Sequence, residues 1–484
     1  MIRTRRTAAV LAALVAALLV ISGCGSASGG SKPKGLDDLL GYVPANSPLV
    51  VSANVDPGSD QWKNVDKILA KFPISGQIKG QLKQQFAKEH LNYDKDIKPL
   101  LGGDALIAFP DARELATSNG DTPVIGAWST RDGGKLKDLL TRGGSNKAVG
   151  KSHGATIYTS GDEDWFAIDG NNGIAATSRP LLEAALARHD GSDHLTIDNF
   201  NKAFNGLPSD PLARFYVNPK ALLGAIPNAG AFSNLIGNGG PQGATLNVKS
   251  NKVEFDSNQA QGSGANAAIA SGDESPGVVR AKDELGIGWR NLAQTVKFYE
   301  NTVKTIAPDE YGKFATGKAA INAGLGIDID RDVVDQLSGN TYAAIGFGGW
   351  AVRSDVKDPG AMKATLAKIA KGAKRFDVDL KPVGDLYQLT NGGTTIFVGV
   401  LGKSLVFASD GAHAARIVSE PVQQVPGAKG AIAINGDGKA LADAGIQKYG
   451  QGMQAQFGGL FTGPLGAING WFGASRSHFE VNFK

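Results

Sequence analysis

"DIKPLLGGDALIAF", residues 96–109, decides the fold, because it returns as "DVVDQLSGNTYAAIGF", residues 332–347. Asp96 aligns with Asp332 and Gly103 with Gly339, both at an offset of 236. Three further segments recur in the same order. "IYTSGDEDWFAIDGNNGIAATS" (157–178) resembles "LYQLTNGGTTIFVGVLGKSLVFAS" (386–409), which sets Phe166 against Phe397 and Ser178 against Ser409 at an offset of 231. "FYVNPKALL" (215–223) resembles "IAINGDGKALA" (432–442), and "VKSNKVEFDS" (248–257) resembles "SRSHFEVNFK" (475–484). The offset drifts as loop insertions would make it drift. An internal repeat constrains the fold before any single element does. The expectation is a tandem duplication, with copy one at 38–257, an Ala/Gly/Ser linker at 258–272 and copy two at 273–484.

Each copy shows one layout. A short strand comes first ("SPLVVSANV", 47–55; "DELGIGW", 283–289). Amphipathic helices follow, marked by Trp62, Val65, Ile68, Leu69 and Phe72, and by Leu292, Val296, Tyr299 and Val303. The Asp-to-Gly segment leads into a strand. A second strand ("VIGAWST"; "GWAVRSD") leads to a helix ("GKLKDLLTR", 134–142; "GAMKATLAKIAKG", 360–372). A hairpin and a helix opened by Ser178 or Ser409 come next. A strand, a Gly-rich helical region and an alternating strand pair close the copy. Hairpin-linked strands with helices between groups predict an α+β fold, each copy a mainly antiparallel sheet with helices packed on it.

The start of the chain reads as an address. Arg3, Arg5 and Arg6 precede an uncharged run to Gly23, whose apolar core, Ala8 to Ile21, has 14 residues. A spanning helix needs about 20, so residues 1–23 are predicted to be a secretory signal peptide. The core ends in Ile21-Ser22-Gly23-Cys24, which resembles the bacterial lipobox. That resemblance implies cleavage before Cys24 and diacylglycerol on its thiol. Cys24 is the only cysteine in 484 residues, and an idle thiol in an oxidising compartment would be a liability. Residues 24–37 read as a flexible Gly/Ser tether, and a dozen such residues span roughly 20 Å. The expected location is the outer face of a cell membrane.

Removing residues 1–23 takes three arginines and no acid, so the formal charge falls from +4 to +1. A near-neutral chain offers no electrostatic case for nucleic acid. Without further cysteines there are no disulfides within the chain and no cysteine metal sites. Stability must come from ordinary cores, for which the chain is long enough. Glycine is the outlier, 65 of 484 residues, about twice the usual share. Some of it clusters in 224–243, read as a loop with helical pieces, and in 262–277, read as linker.

"YVPANSPLVVSANVDPGSDQWK" (42–63) runs through a proline, a small polar pair, an aliphatic strand, Asp-Pro and a tryptophan-bearing helix start. It resembles the opening of a bacterial family known as domain of unknown function 3352. "DIKPLLGGD" (96–104) resembles a later segment of that family. The resemblance implies an exported, commonly tethered bacterial protein. The family carries no known activity, so it assigns no site residue.

Candidate chemistry is sparse. In "GKFATGKA" (312–319), Gly312, Gly317 and Lys318 have phosphate-loop spacing, but Ala319 stands where a Mg²⁺-binding hydroxyl belongs. Asp328, Asp330 and Asp332 begin like a calcium loop, as do Asn92, Asp94 and Asp96. Val333 then replaces the required Gly, and Gly339 the bidentate Glu. Asp96 and Asp332 are instead read as caps of a short helix. His189, Asp190, Asp193 and His194 carry zinc-compatible groups, but read as a polar turn without a counterpart in copy two. His90, His153, His413 and His478 are scattered, and His413 stands where copy one has Leu182. No Gly-x-Ser-x-Gly elbow occurs. Acid pairs such as "GDEDW" (161–165) are ordinary surface. "GGW" (348–350) and "FGGLFTGPLGAINGWFG" (457–473) are apolar, and are read as core packing ahead of a groove or lipid contact.

No catalytic, cofactor or metal residue is therefore assigned, and Cys24 alone carries a modification. The expectation is a non-enzymatic, membrane-tethered envelope protein that binds a partner protein or an apolar, lipid-like ligand. The alternatives are an envelope hydrolase acting on glycan or peptide, and a structural scaffold.

Overall fold

The computed structural model describes residues 35–88, 91–117, 122–142, 146–159, 165–224, 240–258, 274–376, 378–391, 393–450 and 453–484. The signal segment, Cys24 and nearly all of 258–272 lie outside the described residues. The described chain falls into two compact units, one ending at Asn258 and one from Glu274 onward.

The first unit contains strands β1 (Leu49–Asn54), β2 (Leu101–Phe109), β3 (Ile125–Thr130), β4 (Lys147–Ser152), β5 (Ala155–Thr159), β6 (Trp165–Asp169), β7 (Asn172–Ala176), β8 (Ala213–Val217), β9 (Gln242–Val248) and β10 (Lys252–Asn258). They pair in the order β4-β5-β6-β7-β3-β2-β1-β8-β9-β10, every pair antiparallel. The alternation of side chains places successive residues on opposite faces. On β6 and β7, Ala167 and Ile174 face the helix Arg179–His189 through Leu182 and Leu186. Phe166 and Ala175 face the other way, towards Leu140 of the helix Gly133–Thr141. The sheet is thus covered on both faces, and the main core lies under Arg179–His189.

The second unit contains β11 (Glu284–Arg290), β12 (Leu337–Gly346), β13 (Trp350–Val356), β14 (Leu380–Val383), β15 (Leu386–Asn391), β16 (Thr394–Leu401), β17 (Ser404–Ala408), β18 (Ile432–Asp437), β19 (Leu465–Phe472) and β20 (Arg476–Phe483). Their order is β14-β15-β16-β17-β13-β12-β11-β18-β19-β20, again antiparallel throughout. Val398, Val400 and Leu405 pack against Met362 and Leu366 of the helix Pro359–Ala373. Val406 and Ala408, on the other face, pack against Ala414 and Ile417 of the helix Gly411–Ser419. The α+β class and the antiparallel sheets are as the sequence predicts.

Both β2 and β12 carry an irregularity in their pairing with the next strand, at 101–105 and 337–341. Gly103 (φ 89°) and Gly339 (φ 61°) sit there in the left-handed region. Only glycine enters that region without steric cost, which is why this residue marks both segments.

Two local expectations change. The helix after β17 is capped by Asp410, whose carboxylate accepts from the His413 amide at 2.8 Å. Ser409 instead accepts from the Trp350 amide at 3.1 Å. The helix Leu292–Ile306 forms where the apolar spacing predicts it. Its Val296, Tyr299 and Val303 nevertheless stay exposed, Tyr299 at 57%. The apolar face of this helix is a surface, not a core.

Candidate functional site

The motifs singled out in the sequence are held in structural contacts. Asn92 and Asp328 are N-caps, accepting from the amides of Lys95 and Arg331 at 3.0 and 3.1 Å. Asp96 and Asp332 reach back to the Asn92 and Asp328 amides at 2.7 and 2.9 Å. The two ends satisfy each other's orphan donors, as in a capping box. Asp94 pairs with Lys83 and Asp330 with Lys318, so the alternate carboxylates diverge onto different cations. Among the described residues no group of three or more His, Cys, Asp or Glu is placed to hold a metal ion. Lys318 lies within the helix Pro308–Leu325, tied to Glu300 at 2.5 Å and Asp330 at 2.8 Å. It is a helix-linking cation, and the surrounding backbone forms no phosphate loop.

These caps give a pH prediction. The Arg331 guanidinium, helped by the Asp328 amide, holds the Asp332 carboxyl down from 3.8 to about 2. A depressed acid contributes stability that is present above its unfolded pKa and lost as the pH falls through its folded pKa. Asp332→Asn should therefore flatten the fall in melting temperature between about pH 4 and 2. Parallel melting curves for parent and variant would show that the cap contributes nothing.

The histidine-rich turn also comes apart. His189 stacks on Tyr42, with ring centroids 4.2 Å apart. Its Nε2 lies 3.4 Å from Asp38 Oδ1 and its Nδ1 3.7 Å from Asp169 Oδ2. Asp190 instead takes His153 at 2.9 Å, and the His194 backbone bridges to Pro44. Around His189 a polar network closes. Tyr42 Oη donates to Asp169 at 2.9 Å, while Asn172 donates to Asp38 at 2.5 Å and to Tyr42 Oη at 3.2 Å. Burial pushes the Tyr42 hydroxyl far above its ordinary value, so it stays a donor. The network seats the helix Leu36–Leu40, whose Leu39 and Leu40 are wholly buried in the first unit's core.

Space exists in the second unit. A groove of about 870 Å³ lies along the helix Leu292–Ile306, beside the start of β12. Phe298 and Leu337 give it an apolar wall, and Arg290, Lys297, Asp335 and Lys357 a charged one. Lys297 pairs with Asp335 and holds that carboxyl below its ordinary range. Arg290 Nη1 donates to the Glu274 carbonyl at 2.9 Å. The groove is shallow and widely open to solvent. Sequence reading did not find this groove. Its residues come from β11, a helix, the turn before β12, the first residues of β12 and the residue after β13, and their spacing along the chain carries no pattern. The apolar segment at 457–473 divides between a helix end with Leu460 and Phe461 exposed and the strand β19.

Fold and groove together define a two-unit antiparallel α+β protein with an open groove in its second unit. The chain belongs to the family described as "Protein of unknown function (DUF3352)", whose model matches residues 7–426. Comparison with curated proteins gives no match. Among solved structures, crystal form III of TP0453 is similar at a TM-score of 0.27 and 13% identity, over 46% of this chain and 80% of that one. Crystal form I of TP0453 gives a TM-score of 0.27 and 15% identity, over 45% and 77%. Among the described residues, no helix is long and apolar enough to cross a membrane.

Proposed function

We propose that this chain is a lipid-anchored binding protein of a bacterial envelope, built from two copies of one α+β unit, which holds an apolar or amphiphilic ligand. The observation that carries the binding reading is the groove of about 870 Å³ on the second unit. Of the 16 large hydrophobic residues exposed among those described, 14 belong to the second unit. These 14 are spread over residues 296–461, and none of them lines the groove. The duplication is supported by the shared strand order, by bulge glycines at the same place in β2 and β12, and by paired caps at Asn92 and Asp328.

Native mass spectrometry of the full chain, released from neutral detergent, tests the binding reading. Bound lipid, or uptake of added lipid, is expected. A spectrum without adducts after lipid addition sinks the ligand form.

The anchor is tested separately. Cys24→Ser should leave both units folded and either release the chain from membranes or block its maturation. Two acyl chains anchor stably where one binds only marginally, so the expected loss from the membrane fraction is near complete. Membrane fractionation at mature mass by the Ser variant would overturn the lipobox reading.

A further inference from the structure

We infer that the ligand of the second unit's groove is an anionic amphiphile, an apolar body ending in a carboxylate or phosphate, with Lys357 placed to receive the charged end. This deepens the binding reading above and rests on it.

The first observation is charge. Lys297 and Lys357 line the groove beside a single acid, Asp335, while Arg290 is held by other contacts, among them the Glu274 carbonyl. Lys297 already holds Asp335. The exposed Lys357 makes no direct ion pair among the described residues, lines the groove, and adds its charge to that of Lys297 in lowering the Asp335 carboxyl. Two lysines sharing one carboxylate leave the concave lining net positive, which favours an anionic ligand.

The second observation is the same place in the first unit. The Lys357 amide donates to the Gln336 carbonyl just before β12, and the Arg131 amide donates to Leu100 just before β2. Arg131 is therefore the first unit's counterpart of Lys357. Arg131 is tied to Asp56 at 3.0 Å and lies across Gly102, where a Cβ would meet its Nε at 2.4 Å. The second unit has Ser338 in place of Gly102, so the corresponding side chain cannot lie flat there. In one unit the cation is ion-paired and covers the strand, and in the other it makes no direct ion pair and lines the groove.

The third observation is the rest of the lining. The groove is far larger than an inorganic anion, and Phe298 and Leu337 supply apolar wall beyond the charged end. An anion alone would leave that wall wet. An apolar body alone would gain nothing from the excess positive charge of the lining.

Photolabelling of the full chain in neutral detergent tests the inference. The probes are diazirine-bearing palmitic acid, diazirine-bearing phosphatidic acid and the matching neutral fatty alcohol, with labelled peptides mapped by mass spectrometry. At least one acidic probe should label 290–301 or 335–340 at about tenfold lower concentration than the alcohol, as one charged hydrogen bond predicts. Whether carboxylate or phosphate labels better identifies the source of the charge. Lys357→Glu and Lys357→Met should each remove the preference and leave alcohol labelling unchanged, with unaltered melting curves showing that the groove is intact. Equal labelling by acid and alcohol, or a preference that survives both variants, overturns the anionic assignment while the groove stands. No labelling of these peptides by any probe overturns the groove reading as well.

Discussion

Trp62→Ala is expected to lower the stability of the first unit by about 3–5 kcal/mol, the cost of emptying a large buried aromatic site. Trp62 is 1% exposed, and its Nε1 donates to the Asn54 carbonyl at 2.7 Å at the end of β1. It therefore fixes the helix Asp60–Ala70 to the sheet by volume and by a directed bond. Two neighbours reinforce the seat. Gln61 donates to the Asp210 carbonyl at 2.8 Å and accepts from the Val248 amide at 2.8 Å. Asn64 donates to the Val248 carbonyl at 2.9 Å. Those polar contacts lose their alignment if the helix shifts to fill the void. Trp62→Phe should cost less, about 1–3 kcal/mol, because most volume remains and one buried carbonyl loses its donor. Hydrogen exchange by mass spectrometry on peptides covering 49–54 and 60–70 reads both variants. Unchanged protection in Trp62→Ala would mean that the helix is held by its polar contacts alone.

The sequence carries the helix around Trp62 legibly, because its apolar residues recur at helical spacing and Ser59 supplies a cap. The glycine of each repeated segment is legible for a stronger reason. A positive φ admits few other residues, so Gly103 and Gly339 are markers of geometry. Under the proposed duplication, sheet register sets Phe397 against Trp165 rather than Phe166. In the sheets, Trp165 stands opposite Ala176 and Phe397 opposite Ala408, each the last residue of its strand. Phe166 then matches Val398, and both face the helix that follows the third strand of their unit. A slip of one residue turns a side chain to the other face, and local similarity between two hydrophobic strands does not detect it. The same slip set His413 against Leu182, whereas Leu182 and Ala414 are the buried fourth positions after their caps.

The groove was illegible for a different reason. Arg290, Lys297 and Lys357 look like ordinary solvated cations along the chain. They become a site only because β11, β12 and β13 bring distant residues to one end of the sheet. The apolar face of Leu292–Ile306 misleads in the opposite direction. Periodicity reports that a helix has an apolar face, but not whether protein covers it. Cys24 is legible by its surroundings in sequence, and it lies outside the described residues.

Arg416→Met is expected to be the most damaging single change in the second unit, at about 3–5 kcal/mol, because it strands a buried carboxylate. The Glu284 side chain is only 5% exposed, and Arg416 grips it with two guanidinium nitrogens, Nη1 at 2.8 Å. The Ala281 amide adds a donor at 2.7 Å. Glu284 opens β11, so this pair ties the central strand to the helix Gly411–Ser419. The two halves of the pair are not equivalent. Arg416 is 24% exposed, and once freed its long side chain can reach water. Glu284 has no such exit. Glu284→Met should therefore cost less than Arg416→Met. The double variant should recover most of the loss, because an apolar pair of similar volume carries no desolvation penalty. Denaturant unfolding of the four proteins measures the cycle. Equal losses for the two single variants, or a double variant as unstable as Arg416→Met, would show that Glu284 is not stranded by the loss of its arginine. The His413 ring, 3.9 Å from the same carboxylate and held by Asp410 at 2.7 Å, would then be the group that compensates.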